Sequence, residues 1–283
     1  MNRQYQIFLG CDKAFSDAPV VLFGAPFDGT ASFRPGARFG PMAIRNDSVG
    51  IETYSPYQDR DITDISVCDL GDLEFPFGNP KKALDIIENT VKTILDANKI
   101  PCMLGGEHLV TLGAVSAVVK RYPDVHILHL DAHADLRDTY LDEPLSHATV
   151  MRRIWELVGD QRIYQCGIRS GEKEEFSFAK DHTVMQKWDL KGFADVVKSL
   201  KRKPVYVSLD LDILDPGIFS GTGTPEAGGV SFTSLLDALL QLHSLSMVGC
   251  DINELSPCLD PSGVSTAVAC KLTREILLML KGE

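Results

Sequence analysis

The chain has 283 residues, 44% hydrophobic and 24% charged, with a formal net charge of -11. That is enough length and apolar content for one large α/β domain or two small ones. The acidic balance, with no basic cluster beyond KSLKRK at 198–203, argues against a nucleic-acid binder, and no run nears the roughly 18 apolar residues of a membrane span.

The seven cysteines are scattered without a C-x-x-C pair, which fits reduced core thiols better than a disulfide framework or zinc ribbon. The first residues, MNRQYQIFLGCDKAFSD, carry no long apolar signal-peptide core. A cytoplasmic, soluble protein is the expectation.

From the N-terminus, VVLFGAP (20–26) and VCDLGD (67–72) read as strands. Residues 80–98 read as a helix, with Leu84, Ile87, Val91 and Leu95 on one stripe. PCMLGG (101–106) is a strand that leaves through two glycines into Glu107 and His108, ahead of a helix near 109–121. VHILHLD (125–131) is the next strand and runs into Asp131, His133 and Asp135. A helix near 147–158 precedes strands RIYQCGI (162–168) and TVMQK (183–187). VYVSLDLD (205–212) ends in Asp210 and Asp212, with Asp215 just beyond. Helices near 232–243 and 265–281 flank the last strand, MVGCDINEL (247–255), with Asp251 and Glu254.

Most of these strands are continuously apolar, as strands covered on both faces are. Their alternation with helices predicts a mostly parallel sheet between two helical layers. No linker or composition shift divides the chain, so one domain over 1–283 is expected. Such sheets carry their chemistry beyond the carboxyl ends of the strands, where the acidic and imidazole residues gather.

Alternation puts Asp210 and Asp212 on one strand face, about 6–7 Å apart, a spacing suited to two metal ions about 3.5–4 Å apart. Asp131 to Asp135 would span about 13 Å if extended, so the chain must curl after Asp131, where Ala132 and Ala134 leave room. Five or more carboxylates at one sheet edge would repel one another without cations. Four Asp and two His around two divalent ions balance the charge. Oxygen-rich ligation with some imidazole favours Mn2+ over Zn2+. Alone, a D-x-H or D-x-D is usually a turn or cap, but both together with GGEH on a third strand end point to metal. His129 lies inside the apolar run and reads as a core histidine or a support for the ligands. His126, His182 and His243 receive no role. GTGTPEAGG (221–229) lacks the third glycine of G-x-G-x-x-G and any G-K-[ST], and reads as a loop flanking the site rather than a phosphate cradle.

In their order along the chain, SFRPGARFGPMAIR (32–45), GGEH, DAHAD, SLDLDILDP and INELSP resemble the ureohydrolases, the family that includes arginase and agmatinase. The resemblance covers nearly the whole chain. It implies a three-layer α/β/α sandwich with a mainly parallel eight-stranded sheet, and two Mn2+ per subunit. His108, Asp131, Asp135 and Asp210 would hold one ion; Asp131, His133, Asp210 and Asp212 the other, with Asp131 and Asp210 bridging. It further implies attack of a metal-bridging hydroxide on a guanidinium carbon, His147 as the acid or shuttle for the leaving amine, and Glu254 as the carboxylate pairing with the guanidinium. Members often follow this histidine with glycine; here Ala148 follows it.

The loop LRDTYLDEPLSH is acidic, which suits a small cationic guanidino substrate whose far end is an amine, although Arg137 could serve a carboxylate. With RIYQCGIRSGEKEEF it looks most like bacterial agmatinases, implying agmatine to putrescine and urea. Other guanidino substrates (arginine, guanidinobutyrate), a dinuclear phosphoesterase and a non-catalytic metal-binding relative are the competing readings. The phosphoesterase reading lacks a matching G-D-x-x-D and G-N-H. A homo-oligomer, trimer or hexamer, is expected by resemblance, with no nucleic-acid or membrane partner.

Overall fold

A computed structural model of the chain describes residues 6–280. Its strands are β1 (Val20–Ala25), β2 (Tyr54–Ser55), β3 (Arg60–Asp61), β4 (Val67–Asp72), β5 (Ile100–Gly105), β6 (His126–Leu130), β7 (Ile163–Ile168), β8 (Val184–Lys187), β9 (Pro204–Asp210) and β10 (Ser246–Asn253). β2 and β3 form a small antiparallel pair. The other eight make one sheet in the order β4-β1-β5-β10-β9-β6-β7-β8, and every neighbouring pair is parallel. All eight strands read from the sequence are present, to within two residues at each end.

Most of the strands are continuously apolar because the sheet has a core on each side; the edge strands β4 and β8 are the exceptions. Along β1, Val20 and Leu22 enter one core while Val21 and Phe23 enter the other. The helices are α1 (Gly40–Asp47), α2 (Pro80–Asp96), α3 (Val110–Arg121), α4 (Val150–Val158), α5 (Lys173–His182), α6 (Phe193–Leu200), α7 (Phe232–Leu240) and α8 (Val264–Met279). α1, α6, α7 and α8 cover the first core, and α2 to α5 the second. The result is the expected three-layer α/β/α sandwich. α2 shows why the helices form where they do. Asn79 caps it by accepting from the Lys82 N–H, Pro80 opens it, and Ile87, Val91 and Leu95 are buried along one stripe.

Three helices were not read from the sequence. α1 and α6 have eight residues each, too short for a clear apolar period, and α5, KEEFSFAKDH, is mostly polar.

One topological feature sets the site. β5 and β6 are consecutive helix-linked strands of the main sheet, yet β10 and β9 lie between them. The carboxyl ends of these four adjacent strands carry His108, Asp131, Asp210 and Glu254 together.

Candidate metal centre

Each ligand-type residue sits where its strand ends, and local geometry turns it inward. At the end of β6 the chain curls, as the spacing required. Ala132 and Ala134 are buried, and the chain pairs briefly with the segment after β7, where Ala134 N donates to Ser170 O. Asp135 takes a left-handed φ of 54°, a backbone that costs a non-glycine residue on the order of 1–3 kcal/mol and recurs at functional sites. β9 departs from the expected geometry. It stops at Asp210, and Asp212 lies in the following 3-10 turn, whose first N–H groups Asp210 caps by accepting from Asp212 N at 2.9 Å. The two carboxylates share the site through a turn rather than through strand alternation.

These devices bring three carboxylates around one imidazole nitrogen. His108 Nδ1 lies 3.0 Å from Asp131 Oδ2, 3.1 Å from Asp135 Oδ2 and 3.3 Å from Asp210 Oδ2, yet makes a well-directed hydrogen bond to none of them. The other ring nitrogen is committed. Ser208 Oγ donates to Asp251 Oδ1 at 2.6 Å, so it accepts from His108 Nε2 at 2.9 Å. That leaves the Nδ1 lone pair aimed into anionic oxygens, an arrangement that demands a cation. Burial opposes a charge on this ring, but Asp131 and Asp135 raise the His108 pKa well above the usual imidazole range.

The second group is Asp131, His133 and Asp212. His133 Nδ1 lies 3.0 Å from Asp212 Oδ2 and 3.5 Å from Asp131 Oδ1. Asp131 is thus common to both groups, one oxygen facing each. Asp210 carries the burden of this crowding. Burial, then Asp212 and Asp131, push its pKa well above the carboxylate range, while burial opposed by His129 and the neighbouring imidazoles leaves Asp131 well below it. The donor set is oxygen and imidazole, with one buried orphan nitrogen and carboxylates in excess. It fits two divalent ions.

His129 meets the same oxygens, but its tautomer rules it out as a ligand. Gln165 Nε2 donates to Ala134 O at 2.8 Å and to His129 Nδ1 at 3.1 Å, its amide orientation fixed by Thr183 Oγ1, which donates to Gln165 Oε1. His129 Nε2 therefore bears the proton and donates it to Asp131 Oδ2 at 2.7 Å. Asp251, Ser208, His129 and Gln165 are register partners across β10, β9, β6 and β7. They form a buried polar row directly beneath the ligands. Sequence reading placed only His129 here; the signal for the others was a single polar residue inside each apolar run. Asp251, read as a strand-end acid, faces Tyr206 and Ser208 within this row, and Asp215 holds the glycine-rich loop through Gly217, Gly228 and Gly229.

Glu254 follows β10 with φ 67° and accepts from His108 N at 2.8 Å through Oε1. It is only 8% exposed, which excludes the surface-loop reading. Burial, then Glu107 and Asp212, raise its pKa well above the usual range. His147 opens a 3-10 turn capped by Ser146; burial lowers its pKa. Its backbone N donates to Thr30 Oγ1 at 3.1 Å, and its Nε2 lies 3.1 Å from Ser32 Oγ. Ala148 has no left-handed φ, so nothing in the backbone requires glycine there. Of the histidines given no role, His126 packs near the Tyr164 ring and His182 pairs with Asp160, both away from the centre.

A cavity of about 280 Å3 opens over these groups, reaching from His108, Asp210 and Glu254 out to Arg137, Tyr140 and Glu172. Arg137 is already engaged. Its guanidinium contacts Glu172 at 2.9 Å and Glu175 at 3.6 Å and lies over the Tyr140 ring.

Residues 18–279 match the arginase family. The chain is 45% identical to an agmatinase of Bacillus anthracis, over 96% of each chain. It is 41% identical to an N(1)-aminopropylagmatine ureohydrolase of Thermococcus kodakarensis, over 84% of this chain and 83% of that one. In structure it is similar to the agmatine ureohydrolase of Thermoplasma volcanium, with a TM-score of 0.88, 34% identity, and coverage of 98% of this chain and 94% of that one.

Proposed function

The chain belongs to the arginase family of binuclear metal ureohydrolases, and from that premise we propose that it hydrolyses agmatine to putrescine and urea, with two Mn2+ per subunit. The observation that carries the reading is the convergence of three carboxylates on the lone pair of His108 Nδ1, beside a buried carboxylate, Glu254, that lines the same cavity.

His108, Asp131, Asp135 and Asp210 would hold one ion, and Asp131, His133, Asp210 and Asp212 the other. When bound, such a pair lowers the pKa of water and supplies a nucleophile near neutral pH. The chain's own residues do the rest. Glu254 presents a carboxylate to the planar guanidinium, where a bidentate pair is strongest, and so orients the carbon for attack. Ionising Glu254 against its raised pKa is favoured by that incoming cation. His147, partly buried and with a lowered pKa, exchanges a proton readily and delivers it to the departing amine nitrogen.

The mouth supports an amine-ended substrate. Arg137, the group that would favour a carboxylate, is neutralised by Glu172 and Glu175, leaving two carboxylates against one guanidinium. Glu172 is half exposed at the rim while Glu254 is buried, so a molecule with a guanidinium at one end and an ammonium at the other meets a carboxylate at both depths. The neighbouring cavity, which shares Ser32 and Tyr140 and carries Glu143 beside Lys81, offers room for a longer tail as a second reading.

We place the enzyme in the cytoplasm as a homo-oligomer, following the family resemblance. Among the described residues no helix is long and apolar enough to cross a membrane. The test is urea release by manganese-loaded protein from agmatine, aminopropylagmatine, arginine and guanidinobutyrate. Agmatine is expected to give the highest kcat/KM; turnover of arginine or guanidinobutyrate without agmatine would overturn the substrate assignment, and dominance of aminopropylagmatine would favour the longer tail.

A further inference from the structure

Glu107 is 1% exposed and precedes His108, yet it belongs to neither ligand group. Its carboxylate instead serves one residue of a distant loop. Thr30 N lies 3.1 Å from both Glu107 oxygens, and Thr30 Oγ1 donates to Oε1 at 2.6 Å. Because that hydroxyl proton is spent on Glu107, the oxygen lone pairs are left to accept, and they accept from His147 N at 3.1 Å. Two residues on, Ser32 Oγ sits 3.1 Å from His147 Nε2. The loop thus touches the imidazole residue at its backbone and at its ring.

The loop is fixed to the end of β5 by more than this pair. Glu107 N donates to Phe27 O at 2.7 Å. Any Cβ on Gly106 would stand 1.9 Å from that same carbonyl, so only glycine lets the loop lie against the turn. Two donors from one residue, its backbone N and its hydroxyl, on one acceptor fix Thr30 in direction as well as distance.

We infer that Glu107 is a positioning residue: through the Thr30 hydroxyl it sets the height and angle at which His147 enters the cavity. The inference rests on the proposed role of His147. It predicts that Thr30 governs turnover while leaving substrate affinity and metal content alone, since neither Thr30 nor Glu107 reaches the ligand atoms. A misplacement of about 1 Å in a reacting group lowers rates by about 100-fold.

The experiment compares Thr30→Val, Thr30→Ser and His147→Ala in the manganese-loaded chain, with bound metal counted. Amide exchange across 145–150 is followed in the metal-free chain. Thr30→Val, which keeps the shape and loses the hydroxyl, is expected to lower kcat by about 10- to 100-fold with KM and metal content unchanged, and to speed exchange at His147. Thr30→Ser is expected to restore both. Normal kcat and exchange in Thr30→Val beside an inactive His147→Ala would overturn the inference and leave the reading of His147 standing. An equal loss in Thr30→Ser would assign the effect to packing and overturn it too. Full activity in His147→Ala would remove the premise itself.

Discussion

His129 donates its Nε2 proton to Asp131 Oδ2 at 2.7 Å, and nothing of this pair reaches solvent, both residues being fully buried. The imidazole thereby holds the one carboxylate common to both groups, and Gln165, itself fixed by Thr183, holds the imidazole. Groups in this position typically alter metal affinity by about 10- to 100-fold when removed. His129→Leu, which keeps the ring's bulk only in part and loses the donor, is expected to weaken manganese binding by that factor. Calorimetric titration of the metal-free protein checks it. Unchanged affinity would mean that Asp131 is oriented by its backbone alone.

The Arg137–Glu172 pair at the mouth makes a second prediction. Glu172 is half exposed, so its substitution endangers little of the fold. Glu172→Gln is expected to raise KM for agmatine by about 3- to 10-fold, as loss of one solvent-screened ion pair would, with kcat nearly unchanged. Steady-state urea release measures both. An unchanged KM would show that the Glu172 carboxylate does not meet the substrate.

The pH dependence of the metal-free chain follows from the direction of its shifts. Asp210 and Glu254 are raised well above the carboxylate range, chiefly by burial, and Glu107 is pushed up to about 8. Each binds its proton more tightly folded than unfolded, so stability falls as pH rises from the unfolded value of about 4 through the raised one. His108 and His133, raised against burial by their carboxylates, add the same sign. Their contribution is whole below about pH 6.5 and is lost as pH rises through the folded values. Asp131 is lowered, so its contribution disappears only in stronger acid. The chelated protein should therefore melt at lower temperature at about pH 8 than at about pH 6, and manganese should raise the melting point more at the higher pH. A melting point that climbs with pH in the chelated protein would refute the charge assignment.

How far the sequence revealed this site follows from the kind of signal each residue leaves. Apolar runs marked the central strands, because a two-sided core tolerates little else. The ligand types at their ends were legible for the same reason: carboxylates closing a buried run are out of place without a cation. The turn at Asp212 was not legible, since D-x-D has the same spacing in a strand and in a capped 3-10 turn. Nor was the row of Asp251, Ser208, His129 and Gln165. Its members are single polar residues set among apolar neighbours, and only the register of four strands far apart in sequence puts them side by side. The tie from Glu107 to Thr30 and His147 spans 77 and then 117 positions, with no local pattern to announce it.

The most direct test of the account is the metal count on Asp131→Ala. Asp131 presents Oδ2 to the His108 group and Oδ1 to the His133 group, so in the proposed reading it is the ligand that the two ions share. The unaltered chain should bind two manganese ions per subunit and release urea from agmatine. Asp131→Ala should weaken both sites together and abolish urea release. Retention of one tightly held ion with loss of the other would contradict the shared role.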